Sequence, residues 1–205
     1  VTRRLTPDGA IDLSYGDAGR TIVYIDNAAQ FSACKLKNKL HNSNDTTFIG
    51  LTCPIDNSPF SKEFWVFIKL NNHGNLDNSF GDYGVANFYY LPIGGWYTVN
   101  QDNNFFSSSM GFVIDAKGGL IIADRHHSEN SKNPFGYIFI TRLLPNGKID
   151  STFRKNGFEY FEESGNILDN YEIVQPYILP DFTIGAFISS GDYDTSESYN
   201  AKLAQ

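Results

Sequence analysis

Asp12, Asp77 and Asp150 stand in one repeated context, each followed two positions later by a hydroxyl residue, Ser14, Ser79 or Thr152. Three carboxylates gathered by a repeating fold could ligate a hard cation or share acid–base work. Their context points elsewhere. An Asp in this position accepts hydrogen bonds from the backbone N–H groups just ahead of it, and the hydroxyl reinforces the turn. The three are therefore read as structural turn caps.

A second group has binding chemistry. Gly94-Gly95-Trp96-Tyr97 places flat aromatic surface beside the polar run Asp102-Asn103-Asn104, and Asp124-Arg125-His126-His127 opens another connection of the same region. Aromatic faces cover the apolar face of a sugar while Asp, Asn and Arg take its hydroxyls. Trp96, Tyr97, Asp102, Asn103, Asp124, Arg125, His126 and His127 are the candidate ligand-binding residues. The competing reading has Trp96 and Tyr97 cover a core between neighbouring units, as Trp65, on an apolar strand, is expected to do.

Metal and catalytic signatures are missing. His126 and His127 are adjacent, so an extended chain turns them to different sides, and His41 and His73 lie in other units. Asp192-Tyr193-Asp194 lacks the Asp/Asn-Gly and distal Glu of a calcium loop. No nucleophile elbow, zincin helix, phosphate-binding loop or dinucleotide fingerprint is present. No catalytic residue, metal or cofactor is assigned. A carboxylate pair of the glycosidase kind needs only spatial proximity, so a glycosidase- or lyase-like enzyme stays as an alternative reading.

Composition narrows the classes further. The 205 residues carry a formal net charge of -7, against the Lys/Arg clusters that nucleic acid or a polybasic membrane contact requires. No run approaches the roughly 18 apolar residues of a membrane span, and no basic start followed by an apolar stretch marks a leader. Aromatics reach 15% beside 18 Gly, which favours short strands joined by tight turns. Cys34 and Cys53 have no metal-type spacing. They read either as a disulfide of an exported protein or as two buried thiols. The strands assigned below make them neighbours, which favours the disulfide.

The elements that position these residues form a repeat. Arg4-Leu5-Thr6-Pro7-Asp8-Gly9-Ala10-Ile11-Asp12-Leu13-Ser14-Tyr15-Gly16 aligns with Lys69-Leu70-Asn71-Asn72-His73-Gly74-Asn75-Leu76-Asp77-Asn78-Ser79-Phe80-Gly81 and with Arg142-Leu143-Leu144-Pro145-Asn146-Gly147-Lys148-Ile149-Asp150-Ser151-Thr152-Phe153-Arg154. A further glycine follows at 19, 84 and 157. Lys202-Leu203 repeats the opening of the pattern. Asp12 to Asp77 is 65 residues and Asp77 to Asp150 is 73, a period that marks a solenoid or propeller. The aromatic after the hydroxyl is a natural plug between neighbours.

Between these turns run apolar strands. In the middle unit they are 85–91, 109–115, 120–124 and 137–143, with Ala116-Lys117-Gly118-Gly119 as a tight turn. The expectation is an all-β single repeat domain, 1–205, of three tandem four-stranded antiparallel units, about 5–70, 71–143 and 144–205, resembling β-propeller blades. One end of the units carries tight turns. The other carries the long connections 54–62, 92–106, 125–135, 162–170 and 190–198, where binding usually resides.

The Arg-Leu, Pro-Asn-Gly, Lys-Ile-Asp, Thr-Phe pattern, followed by the Ala-Lys-Gly-Gly turn and Leu-Ile-Ile-Ala, resembles the bacterial delta-60 repeat family over nearly the whole chain. The first copy departs in its long second turn and the third has Arg154 in place of glycine. The resemblance implies propeller-like architecture and a secreted or cell-surface protein, and no particular reaction. Three units are fewer than the usual 4–8 of a closed ring. The expectation is a larger parent protein, an open array, or a homodimer closing a six-unit ring, recognising a glycan or a host or surface protein, without nucleic acid or membrane insertion.

Overall fold

The computed structural model describes residues 1–23, 34–42, 45–54, 63–88, 105–128, 136–154, 157–163, 171–179, 184–190 and 198–199. Among them there is no helix. Thirteen strands form four antiparallel sheets. Strands β1 (Thr2–Arg3) and β2 (Arg20–Thr21) make a hairpin. Strands β3 (Lys35–His41), β4 (Thr47–Pro54), β5 (Glu63–Leu70) and β6 (Val85–Phe88) form one four-stranded sheet in chain order. Strands β7 (Phe105–Ile114), β8 (Leu120–Ser128), β9 (Gly136–Leu143) and β10 (Phe158–Glu163) form the other. Strands β11 (Tyr171–Ile178), β12 (Ile184–Ser190) and β13 (Ser198–Tyr199) form a three-stranded sheet. The sheets do not close on themselves.

Alternation along the strands explains how the sheets stack. In β5, Trp65 and Phe67 turn to one face and Phe64, Val66, Ile68 and Leu70 to the other, and all six are buried. Trp65 and Phe67 meet Met110, Phe112, Leu120 and Ile122 of the β7–β10 sheet in one apolar layer. The Phe67 and Phe112 rings meet edge to face, 5.6 Å apart at 85°. Each such ring, fully buried, contributes about 1.5–3 kcal/mol. The opposite face of β8, through Ile121 and Ala123, packs on Ile184 and Ala186 of β12. A sheet apolar on both faces reads as a near-continuous hydrophobic run, and Leu120-Ile121-Ile122-Ala123 is one.

The first strands of successive sheets lie together, with β7 between β3 and β11. Gln175 of β11 fastens this junction: its Nε2 donates to the Phe112 carbonyl at 3.2 Å, and its Oε1 accepts from Asn38 of β3 at 3.5 Å.

The sheets are divided one strand later than the sequence units. Strand 85–88 pairs with β5, through Ile68 and Val85, and not with β7. The residue boundaries at 70/71 and 143/144 thus fall between paired strands of one sheet. The reason is the turn itself. Leu70 bridges Leu76 and Leu143 bridges Ile149, so the chain doubles back at once onto the strand it has just left.

Candidate functional site

The three Asp turns share one geometry. Asp12 Oδ1 accepts from the Ser14 N–H at 3.0 Å and its hydroxyl at 2.5 Å. Asp77 does so with Ser79, at 3.0 and 2.6 Å, and Asp150 with Thr152, at 3.0 and 2.6 Å. The second oxygen takes the basic residue that opens the pattern: Arg4 at 2.8 Å, Lys69 at 2.9 Å and Arg142 at 3.6 Å. These contacts hold all three carboxyls below their ordinary range. For Asp12 and Asp150 the hydroxyl of Ser14 or Thr152 is the largest cause. For Asp77, burial pushes upward and is outweighed by bonds from Ser79 and Lys69. The three sit in separate turns, each with its own partners.

Successive turns interlock. The Gly16 N–H donates to the His73 carbonyl at 2.6 Å, and the Gly81 N–H donates to the Asn146 carbonyl at 2.8 Å. The aromatic before the donor lies on the glycine after the acceptor. A Cβ on Gly74 would stand 2.7 Å from the Tyr15 ring, and one on Gly147 would stand 3.1 Å from the Phe80 ring. Only glycine admits this contact, and both positions also have positive φ. Thr21 Oγ1 adds a bond to the Gly74 carbonyl.

Asp115 is a fourth carboxylate of this end. It closes the β7–β8 turn through the N–H groups of Lys117 and Gly119, both 2.8 Å away. Its other oxygen takes Arg142 Nε and Nη2 at 2.9 and 2.7 Å. The sequence signal was present, an Asp two residues before a Gly-Gly turn, but only the fold brings Arg142 to it.

At the other end, Asp124 lies within strand β8 and not at the start of a loop, because β8 stays paired with β9 as far as His127 and Gly136. Its carboxylate is fully buried and accepts from Trp65 Nε1 at 2.7 Å, joining the two four-stranded sheets. The indole N–H thus meets an acceptor inside the apolar layer, as a buried Trp requires. Sequence reasoning placed Trp65 in the core and Asp124 at a binding surface without pairing them. Arg125, His126 and His127 hold β8 positions opposite Ile138, Tyr137 and Gly136 of β9. Trp96, Tyr97, Asp102, Asn103, Asn104 and the 192–194 acidic stretch lie outside the described residues.

His41 bonds Thr47 and Asp45, each at 3.0 Å, beside its own turn, while His73 supplies the carbonyl of the first interlock. Among the described residues no three His, Cys, Asp or Glu side chains gather as a metal set. Cys34 and Cys53 are joined by a disulfide linking the start of the β3–β6 sheet to the end of β4. No helix among the described residues is long and apolar enough to cross a membrane. Comparison with protein-family models, curated proteins and solved structures finds no match.

Proposed function

We propose that this chain is a non-catalytic binding module of β-propeller-like repeats, related to the delta-60 family and exported or displayed on a cell surface. It takes a glycan or a protein on the end of the sheets that carries the long connections. The observation that carries this reading is the difference between the two ends. At one, Asp12, Asp77, Asp115 and Asp150 all close turns and pair with basic residues. At the other, the strands stop and the chain makes its long excursions, the usual place for recognition on a rigid scaffold. The gathering of β3, β7 and β11 along one line supports a fan of blades. The Cys34–Cys53 disulfide supports an oxidising compartment.

The test is a glycan and surface-protein screen with the intact chain. Hits should weaken at least tenfold in the Trp96→Ala, Tyr97→Ala double variant and remain unchanged in Asp12→Asn. Binding that depends on Asp12 and ignores Trp96 and Tyr97 would assign recognition to the wrong end.

A further inference from the structure

We propose that the first Asp turn, residues 4–19, is a docking surface for a second copy of this chain, which seats its Phe153–Arg154 corner there. The proposal concerns the end opposite the ligand-binding face and stands independently of that reading.

Two junctions inside the chain define what the third must look like. In each, a residue with positive φ donates its N–H to the carbonyl before the next turn's glycine, and the preceding aromatic covers that glycine. The donors are Gly16 and Gly81, and the acceptors are His73 and Asn146. The corresponding donor of the last turn is Arg154, and the corresponding acceptor of the first is Asp8. Among the described residues, neither backbone group has such a partner.

Both ends are already shaped for the contact. Arg154 holds φ 49°, beside 62° at Gly16 and 58° at Gly81, although a side chain there is disfavoured by about 1–2 kcal/mol. Phe153 is half-buried, where Tyr15 and Phe80 are buried. At the other end, a Cβ on Gly9 would meet nothing within 4 Å, where Gly74 and Gly147 are covered by rings. Leu5 is 59% exposed, while its counterparts Leu70 and Leu143 are fully buried. Leu13, 71% exposed, is apolar where the other turns have Asn78 and Ser151.

Charge selects the occupant. The internal junctions pair glycine with His73 or Asn146. The open ends alone carry opposite charges, Arg154 and Asp8, so the chain's own last turn complements its first. The strand count agrees. The β11–β13 sheet has three strands and β1–β2 two, where the intervening sheets have four. An incoming hairpin stands at the end of the sheet that lacks a last strand. Two copies joined head to tail through two such junctions make a closed assembly. It contains four complete sheets and two composite ones, within the range of propeller rings.

The experiment mixes Asp8→Cys and Arg154→Cys chains, each retaining the native disulfide, under mild oxidation. Residues bonded backbone to backbone lie within disulfide reach, so a covalent pair of twice 23.0 kDa is expected. Adding Leu5→Glu to the Asp8→Cys chain should cut its yield at least tenfold. That substitution replaces an exposed side chain, and circular dichroism confirms that the chain still folds. Absence of the mixed pair, or a yield that Leu5→Glu leaves intact, overturns the proposal.

Discussion

The first and third Asp turns are near-copies in sequence and differ sharply in surroundings. Arg4-Leu5 through Asp12 and Arg142-Leu143 through Asp150 form the same backbone bonds: Asp12 N–H to the Arg4 carbonyl at 3.0 Å, and Asp150 N–H to the Arg142 carbonyl at 2.9 Å. Both carboxylates cap the same way. Yet Leu143 is fully buried in the layer between the four-stranded sheets, and Leu5 is largely exposed. The turn is thus a local object whose shape does not depend on burial. Burial comes from the neighbour, and so does most of the stability.

The sharpest test of that distinction is truncation. Leu143→Ala should lower unfolding stability by about 2–5 kcal/mol, the range for a core leucine. Leu5→Ala, in dilute monomeric protein, should change it by less than about 0.5 kcal/mol. Denaturant titrations giving equal losses would break the comparison.

A smaller contrast is expected at the glycines. Gly147→Ala incurs the left-handed backbone cost and drives a methyl against Phe80 and the Gly81 nitrogen, for a total of about 3 kcal/mol. Gly9→Ala incurs the backbone cost alone, about 1–2 kcal/mol. Thermal midpoints of the two variants should be ordered accordingly. In the opposite direction, Arg154→Gly should stabilise the monomer by about 1 kcal/mol, since it relieves a non-glycine residue held at φ 49°. A loss of stability there would mean that the Arg154 side chain supports the fold.

The smallest effect concerns what the turns share. Asp12, Asp77 and Asp150 are all depressed from an ordinary value of 3.8. A carboxyl depressed in the folded state contributes stability that is fully present above its unfolded value. That contribution is lost as pH falls through the lower folded value. Stability should therefore drop below about pH 4. Asp12→Asn, Asp77→Asn and Asp150→Asn should each flatten this acid limb, the exposed first turn behaving like the buried third. A flattening confined to Asp150→Asn would show that the neighbour tunes the cap as well.

Much of the fold was legible in the residues. The all-β class follows from the aromatic and β-branched runs. The turns follow from Asp/Asn/His-Gly and Asp-x-Ser/Thr, whose bonds reach only a few residues along the chain. The position of Trp65 in the core follows from its apolar strand. The partition into sheets was not legible. The motif reads as a boundary between repeats, and the Leu70–Leu76 bridge makes it a hairpin within one sheet. For the ligand-binding candidates, sequence placed Asp124 with Arg125, His126 and His127 in one loop. The fold instead puts Asp124 under Trp65, because a continuous β8 carries it into the layer between sheets.

The sequence by itself determined the strands, the capped turns and their repetition, since each rests on contacts between residues close along the chain. Only the tertiary structure decided which turns interlock, that Trp65 meets Asp124 and that Arg142 reaches Asp115. It also decided that Leu143 is buried while Leu5 is exposed. Those outcomes depend on which sheet packs against which, and identical local patterns acquire different energies from different neighbours.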